Sequence, residues 1–265
     1  MNVRIAALAL ALAATVAACS SGASKPTGAL YDPRTLPTGP VGDSIAYGYA
    51  IVVRTHRLMR KYVRADLQCA DCHVAAGTQP RGGSFIGTYA RFPQWNKRAR
   101  RVIALQDRIA ECFLYSMNGR PPAYSSKPMI AIVAYISWLS RGTPIGAKQP
   151  VADRYIEPLP SRPPDRARGA TLFADKCSRC HGVDGQGLRG AFPPLWGFRS
   201  FNDGAGMAHL DRMTGFVRYN MPQSAPGSLS LEQAYDVAAF VLSHRRPHFQ
   251  KGAVVLAPPL PAKYF

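Results

Sequence analysis

The chain has 265 residues, with 33 Lys and Arg against 15 Asp and Glu, a formal net charge of +18. That length allows two domains with their own cores, and that charge favours anionic partners: nucleic acid, an anionic membrane surface or a small oxyanion. No nucleic-acid motif appears, and the first residues point out of the cytoplasm, so nucleic acid is set aside as a partner.

Residues 1–18 hold one basic residue, Arg4, followed by a run of Ala, Leu and Val too short to span a bilayer, which predicts a signal peptide. It ends Val16-Ala17-Ala18-Cys19-Ser20, similar to a bacterial lipobox in which Cys19 is lipidated. Ordinary cleavage nearby, leaving Cys19 as a stray thiol, is the alternative. No other stretch approaches the ~20 apolar residues of a spanning helix, so the expected location is periplasmic, with membrane contact through the N-terminal lipid alone. Ser20 after the cysteine leans toward the outer membrane.

Residues 19–42, rich in Ser, Gly, Pro and Thr, read as a tether. A first domain is expected over 43–140. Asp43 can cap a helix to about Tyr62, with Ile45, Tyr49, Val52, His56 and Met59 at helical spacing. Cys69-Ala70-Asp71-Cys72-His73 follows, then a Gly-rich loop (Arg81-Gly82-Gly83), a helix from about Lys97 to Met117, and a buried helix from Met129 to Ser140. Residues 141–164 contain six prolines and read as a linker. A second domain is expected over 165–250. Asp165 opens a helix with Ala167, Ala170, Phe173 and Ala174 on one face, leading into Cys177-Ser178-Arg179-Cys180-His181. Helices near 207–220 and 230–244 complete it, and 251–265 is a tail. The pattern is one all-α module used twice, two cytochrome c-like helical domains joined by a Pro-rich linker.

C-x-x-C-H is the attachment pattern of a c-type haem: two thiols add across the vinyl groups and the adjacent His ligates iron. Two such motifs predict two c-type haems, attached at Cys69, Cys72, Cys177 and Cys180, with His73 and His181 as proximal ligands. In the second module Met221, 40 residues beyond His181, is the expected distal ligand. Met207 and Met213 fit better as packing residues, and His209, His244 and His248 as surface or interfacial ones. In the first module Cys112 occupies the corresponding interval, 39 residues beyond His73. The chain has six cysteines; lipid and haem attachments account for the other five. An exported protein has little use for a spare thiol, so Cys112 is expected on the iron. The alternative is ligation by Met117, with Cys112 a small buried residue. Arg108, four residues before Cys112, shares its helix face and can hold an oxyanion beside the sulfur. Of Lys97, Arg98, Arg100 and Arg101, at least two fit a solvated basic face, and Arg98, about three turns before Cys112, is the one expected in the pocket.

Three segments resemble the periplasmic di-haem thiosulfate dehydrogenases, or tetrathionate synthases. They are Leu67 to His73 with Ala76-Gly77-Thr78, the run Asp107 to Gly119 containing Cys112, and Phe192 to Gly197 with Ser200 to Met207. The likeness spans residues 43–248. It implies that Cys112 is the catalytic haem ligand, that Arg108 and Arg98 line the pocket with Ser116 and Met117 close by, and that the second haem relays electrons. Some members exchange a Lys for Met at that haem, but no Lys lies between His181 and His248 here. The implied activity couples two thiosulfates into tetrathionate, possible in either direction, with a small acceptor such as a soluble cytochrome. Two other readings compete: a non-catalytic di-haem electron carrier, and a cytochrome subunit of a sulfur-oxidising multienzyme complex.

Overall fold

The computed structural model describes residues 35–147 and 156–249. The leader with Cys19, most of the tether, the middle of the linker and the tail lie outside the described residues. No helix among the described residues is long and apolar enough to cross a membrane.

The first module is built from α1 (Pro40–Val53), α2 (Thr55–Leu58), α3 (Cys69–Cys72), α4 (Val74–Gly77), the strands β1 (Gln94–Asn96) and β2 (Arg101–Ile103), α5 (Leu105–Tyr115) and α6 (Lys127–Leu139). The second contains α7 (Arg166–Lys176), α8 (Ser178–His181), α9 (Leu210–Asn220) and α10 (Leu231–Leu242). Each module crosses its first long helix over its last, and each crossing is at a glycine. A Cβ on Gly48 of α1 would stand 2.0 Å from the Ala131 carbonyl oxygen of α6, and one on Gly169 of α7 would stand 2.2 Å from that of Asp236 on α10. Only glycine lets these backbones meet so closely. Ile51, Val52, Met129 and Tyr135 fill the first core, while Phe173, Phe216, Val237 and Val241 fill the second.

Several predicted elements shift. Pro40 starts α1, inside the expected tether, because its fixed φ and missing N–H suit a first turn; Asp43 lies one turn in rather than capping. That helix ends at Val53, and Arg54 at φ −141° separates it from the short α2. On α7 the buried residues are Gly169 and Phe173, and Ala167 and Ala174 are exposed, although Asp165 does cap the helix by accepting from Arg168 N at 2.9 Å. Ile130 leaves α6 half exposed on one side.

The largest departure precedes Cys112. Lys97 to Arg100 form the turn of a hairpin, with Trp95 paired to Val102, instead of the first turns of a helix. Two side chains impose it. Asn96 Oδ1 accepts from Ala99 N at 2.9 Å and closes the turn, where Arg100 takes φ +53°. Asp107 then accepts from Ala104 N at 2.9 Å and starts α5 at Leu105. Arg98 and Arg101 are therefore not on the Cys112 helix.

A polar seam joins the modules. Asp66 pairs with Arg199 (3.1 Å) and Arg189 (3.2 Å). Asn118 donates to Ser200 O (2.6 Å), Asn202 to Leu114 O (2.9 Å) and Asn220 to Arg81 O (2.9 Å). The described end of the linker lies on the second module, where Arg162 pairs with Asp236 and Glu157 with Arg218.

Candidate active site

Both C-x-x-C-H motifs form single helical turns, α3 and α8, which bring their thiols and the following imidazole together. All five described cysteines are free of disulfides. His73 Nδ1 meets the Gly83 carbonyl oxygen at 2.5 Å and His181 Nδ1 meets that of Pro193 at 3.0 Å, leaving Nε2 of each ring without a hydrogen-bond partner among the described residues. Holding Nδ1 on a backbone carbonyl orients Nε2 as a metal-ligating histidine requires. Gly83 is needed there: at φ +68°, a Cβ would stand 2.9 Å from the His73 ring nitrogen. Burial pushes the His73 imidazole down to about 4, against the opposing Gly83 contact, and the Arg108 charge lowers it further. Burial likewise lowers His181. Neutral rings are the form that donates to a metal. Burial pushes the Cys69 thiol up to about 12 despite a hydrogen bond from Thr55, and Cys72 is raised for the same reason.

A cavity of about 600 Å³ opens beside the second motif. Cys177, Cys180 and His181 line it together with Met207, Met213 and Met221, and its other walls are largely Phe, Leu, Val and Pro. An apolar slot with two thiols, an imidazole lacking a partner at Nε2 and a thioether fits a covalently attached haem. Met221 is at the C-terminal cap of α9, whereas Met207 and Met213 are buried in the core, so Met221 is the methionine best suited to ligate. Leu67, Asp71 and Cys72 of the first module line the same cavity, so the two attachment sites share a wall. His209 is exposed, His244 stacks on Trp196 at 3.9 Å, and His248 pairs with Asp203.

Cys112 is half-buried on α5, its thiol donating to Arg108 O at 3.5 Å. Cys112 also contributes to raising both Cys69 and Cys72, which puts it in the neighbourhood of the first motif. It opens on a second cavity of about 400 Å³, lined mainly by polar groups. Arg98, Arg108 and Ser116 share that lining with Lys97, Arg91 and Arg212. Arg108 is held from behind by Glu111, whose buried carboxylate takes Arg108 Nη1 at 2.8 Å and Asn96 Nδ2 at 3.1 Å. Arg98 reaches the basin from the hairpin: its guanidinium lies 4.0 Å over the Tyr115 ring and donates to Gly204 O of the second module at 2.9 Å. Met117 is absent from this lining. It is 4% exposed in the core; its N–H donates to Cys112 O at 3.1 Å and its carbonyl oxygen accepts from Arg64 and Ala65 N, so it stands beside Cys112 through the backbone without lining the basin.

The structure thus gathers Cys112, Arg108, Arg98 and Ser116 in one basin, and His181 with Met221 in one cavity. Glu111, Asn96, Arg91 and Arg212 are additions. Glu111 carries a local signal, being three residues from Arg108 on a helix. Arg212 carries none, since it arrives from the other module.

The family model for the SoxA/TsdA cytochrome c domain matches residues 60–145 and that for cytochrome c matches 166–245. The thiosulfate dehydrogenase of Allochromatium vinosum is 43% identical over 238 residues, covering 85% of this chain and 87% of that protein. That of Stutzerimonas stutzeri is 38% identical, covering 81% and 71%. The solved thiosulfate dehydrogenase TsdBA of Marichromatium purpuratum superimposes with a TM-score of 0.78 at 33% identity, covering 83% of this chain and half of that longer one. Two cytochrome c domains carry two c-type haems. At 38–43% identity over more than four fifths of its length to these thiosulfate dehydrogenases, the chain belongs to the thiosulfate dehydrogenase family of di-haem cytochromes c.

Proposed function

We propose that the enzyme couples two thiosulfates into tetrathionate at Cys112. The observation that carries this is a free, half-buried cysteine of the first module that lines one basin with Arg98, Arg108 and Ser116. Cys69 and Cys72 would attach the first haem, with His73 and Cys112 on its iron; Cys177 and Cys180 would attach the second, with His181 and Met221. When bound, the two haems supply the one-electron sinks that a two-electron oxidation needs.

The chain's own residues do the rest. Arg108 and Arg98 hold the sulfonate oxygens, and the outer sulfur of thiosulfate bonds to Cys112 Sγ with loss of two electrons, giving a Cys–S–S–sulfonate. A second thiosulfate attacks the sulfane sulfur of that adduct through its own outer sulfur. The S–S bond to Sγ breaks, tetrathionate leaves and the cysteine thiolate returns. Every step can run backwards, so the same site would reduce tetrathionate. The shared wall of Leu67, Asp71 and Cys72 supports a route through the second module toward an external acceptor such as a soluble cytochrome. The lipobox-like Cys19 supports a lipid-anchored enzyme in the periplasm, with Ser20 favouring the outer membrane.

Cys112→Gly should retain both covalent haems and lose thiosulfate-dependent ferricyanide reduction. Mass spectrometry of the parent enzyme after tetrathionate treatment should find a thiosulfate adduct on Cys112. Turnover by Cys112→Gly at more than a small fraction of the parent rate would sink the reading.

A further inference from the structure

The coupling brings two doubly negative anions to one sulfur, so two sulfonates need cationic partners in one basin, and any role for a further arginine there rests on that coupling. Arg108 already has one nitrogen on Glu111. Arg98 is engaged with Gly204 O and with the Tyr115 ring. Arg212 differs from both. It lines the basin from α9 of the second module, and its guanidinium has no hydrogen bond, ion pair or ring contact among the described residues; only its backbone N is engaged, donating to Asp211 Oδ1 at 2.9 Å. Gly206, also in the lining, lies beside it: a Cβ there would stand 3.0 Å from Arg212 Nη1, which places the guanidinium against this stretch of wall. A half-buried guanidinium without a counter-ion, aimed into a cavity, has its donor fork available for an oxyanion.

We propose that Arg212 binds the sulfonate of the second thiosulfate, so that the two anion-binding halves of the site come from different modules. Arg108, on the helix of Cys112, serves the anion that bonds to sulfur first. Arg212, from the facing module, serves the one that attacks it. The basin is then complete only when the polar seam is closed.

The test is steady-state thiosulfate oxidation by the full di-haem chain carrying Arg212→Gln, Arg212→Lys or Arg166→Gln, each checked for its haem absorption spectrum. Arg166 is exposed on α7, away from the basin, and its replacement removes the same charge. Arg212→Gln should raise KM for thiosulfate about 10- to 100-fold, with kcat within about threefold, as expected for losing a charge-assisted contact. Arg212→Lys should recover part of the loss, and Arg166→Gln should behave as the parent. An unchanged KM in Arg212→Gln, or an equal rise in Arg166→Gln, would overturn the assignment. Those results with an inactive Cys112→Gly remove Arg212 alone; an active Cys112→Gly removes the underlying coupling at Cys112.

Discussion

At the scale of single residues, the site depends on what holds each charge still. Arg108 is exposed at its tip, and a free arginine there would lose about 2 kcal/mol of rotamer entropy on gripping an anion. Glu111 removes much of that loss by fixing Nη1 at 2.8 Å, and Asn96 in turn fixes Glu111. Glu111→Gln keeps the shape and weakens the clamp. We expect kcat/KM for thiosulfate to fall about tenfold, the worth of one charge-assisted hydrogen bond, with both haems retained; wild-type kinetics would show that Arg108 needs no clamp. The residues that announce their chemistry in the sequence are those whose spacing is local: the two C-x-x-C-H motifs, Cys112 with Arg108 four residues earlier, and Met221 beside Pro222. Arg212 is illegible there because its role exists only after α9 is laid against the first module.

At the scale of elements, periodicity locates α6, α7, α9 and α10 within a few residues but misreads the approach to Cys112 as helix. Lys97 to Arg101 have good helix propensity; the side chains of Asn96 and Asp107 override it by capturing backbone N–H groups locally. Buried carboxylates play a similar organising role in the second module. Asp236 is fully buried on α10 and accepts from Arg162, Arg168 and the Asp165 N–H, pinning the linker end and the start of α7. Burial alone would raise its carboxyl, and those donors outweigh it and hold it below the usual range. Its stabilisation is therefore complete above the unfolded carboxylate value of about 4 and is lost as pH falls through the lower folded value. Asp236→Asn should destabilise the chain by about 3 kcal/mol at neutral pH, since two arginines lose their partner. Denaturant melts should show that difference shrinking in acid; a constant difference down to the acid transition would refute the linkage.

At the scale of the whole molecule, a net charge of +18 and a seam built from asparagines and ion pairs answer the same problem. Two modules of the same sign repel, and Asp66 supplies a negative charge where Arg189 and Arg199 approach. The seam also runs through the Ser200 to Met207 segment. Asn202 caps the Leu114 carbonyl at the end of the Cys112 helix while its Oδ1 accepts from Gly204 N, and Gly204 O is what Arg98 grips. One asparagine thereby ties the basin's second wall to the helix that carries Cys112.

Removing it tests whether the basin is an interdomain device. Each module closes its own first and last long helices on one another at a glycine crossing, so Asn202→Ala should leave both haems attached and both helix pairs folded. The loop carrying Gly204 and Gly206 should loosen, and catalysis should suffer where substrate is gripped, with kcat/KM for thiosulfate lower by about tenfold for one buried hydrogen bond lost. The same variant should also respond more steeply to salt. In the parent the basin is shaped by protein contacts, and salt acts mainly on long-range attraction of the dianion, whose reach shrinks from about 30 Å at 0.01 M to about 8 Å at 0.15 M. With the seam loosened, the remaining module-to-module ion pairs at Asp66 are exposed to the same screening, so rising salt weakens attraction and geometry together. Stopped-flow and steady-state rates across that salt range, for parent and variant, separate the two: parallel slopes would mean that the seam does not shape the site.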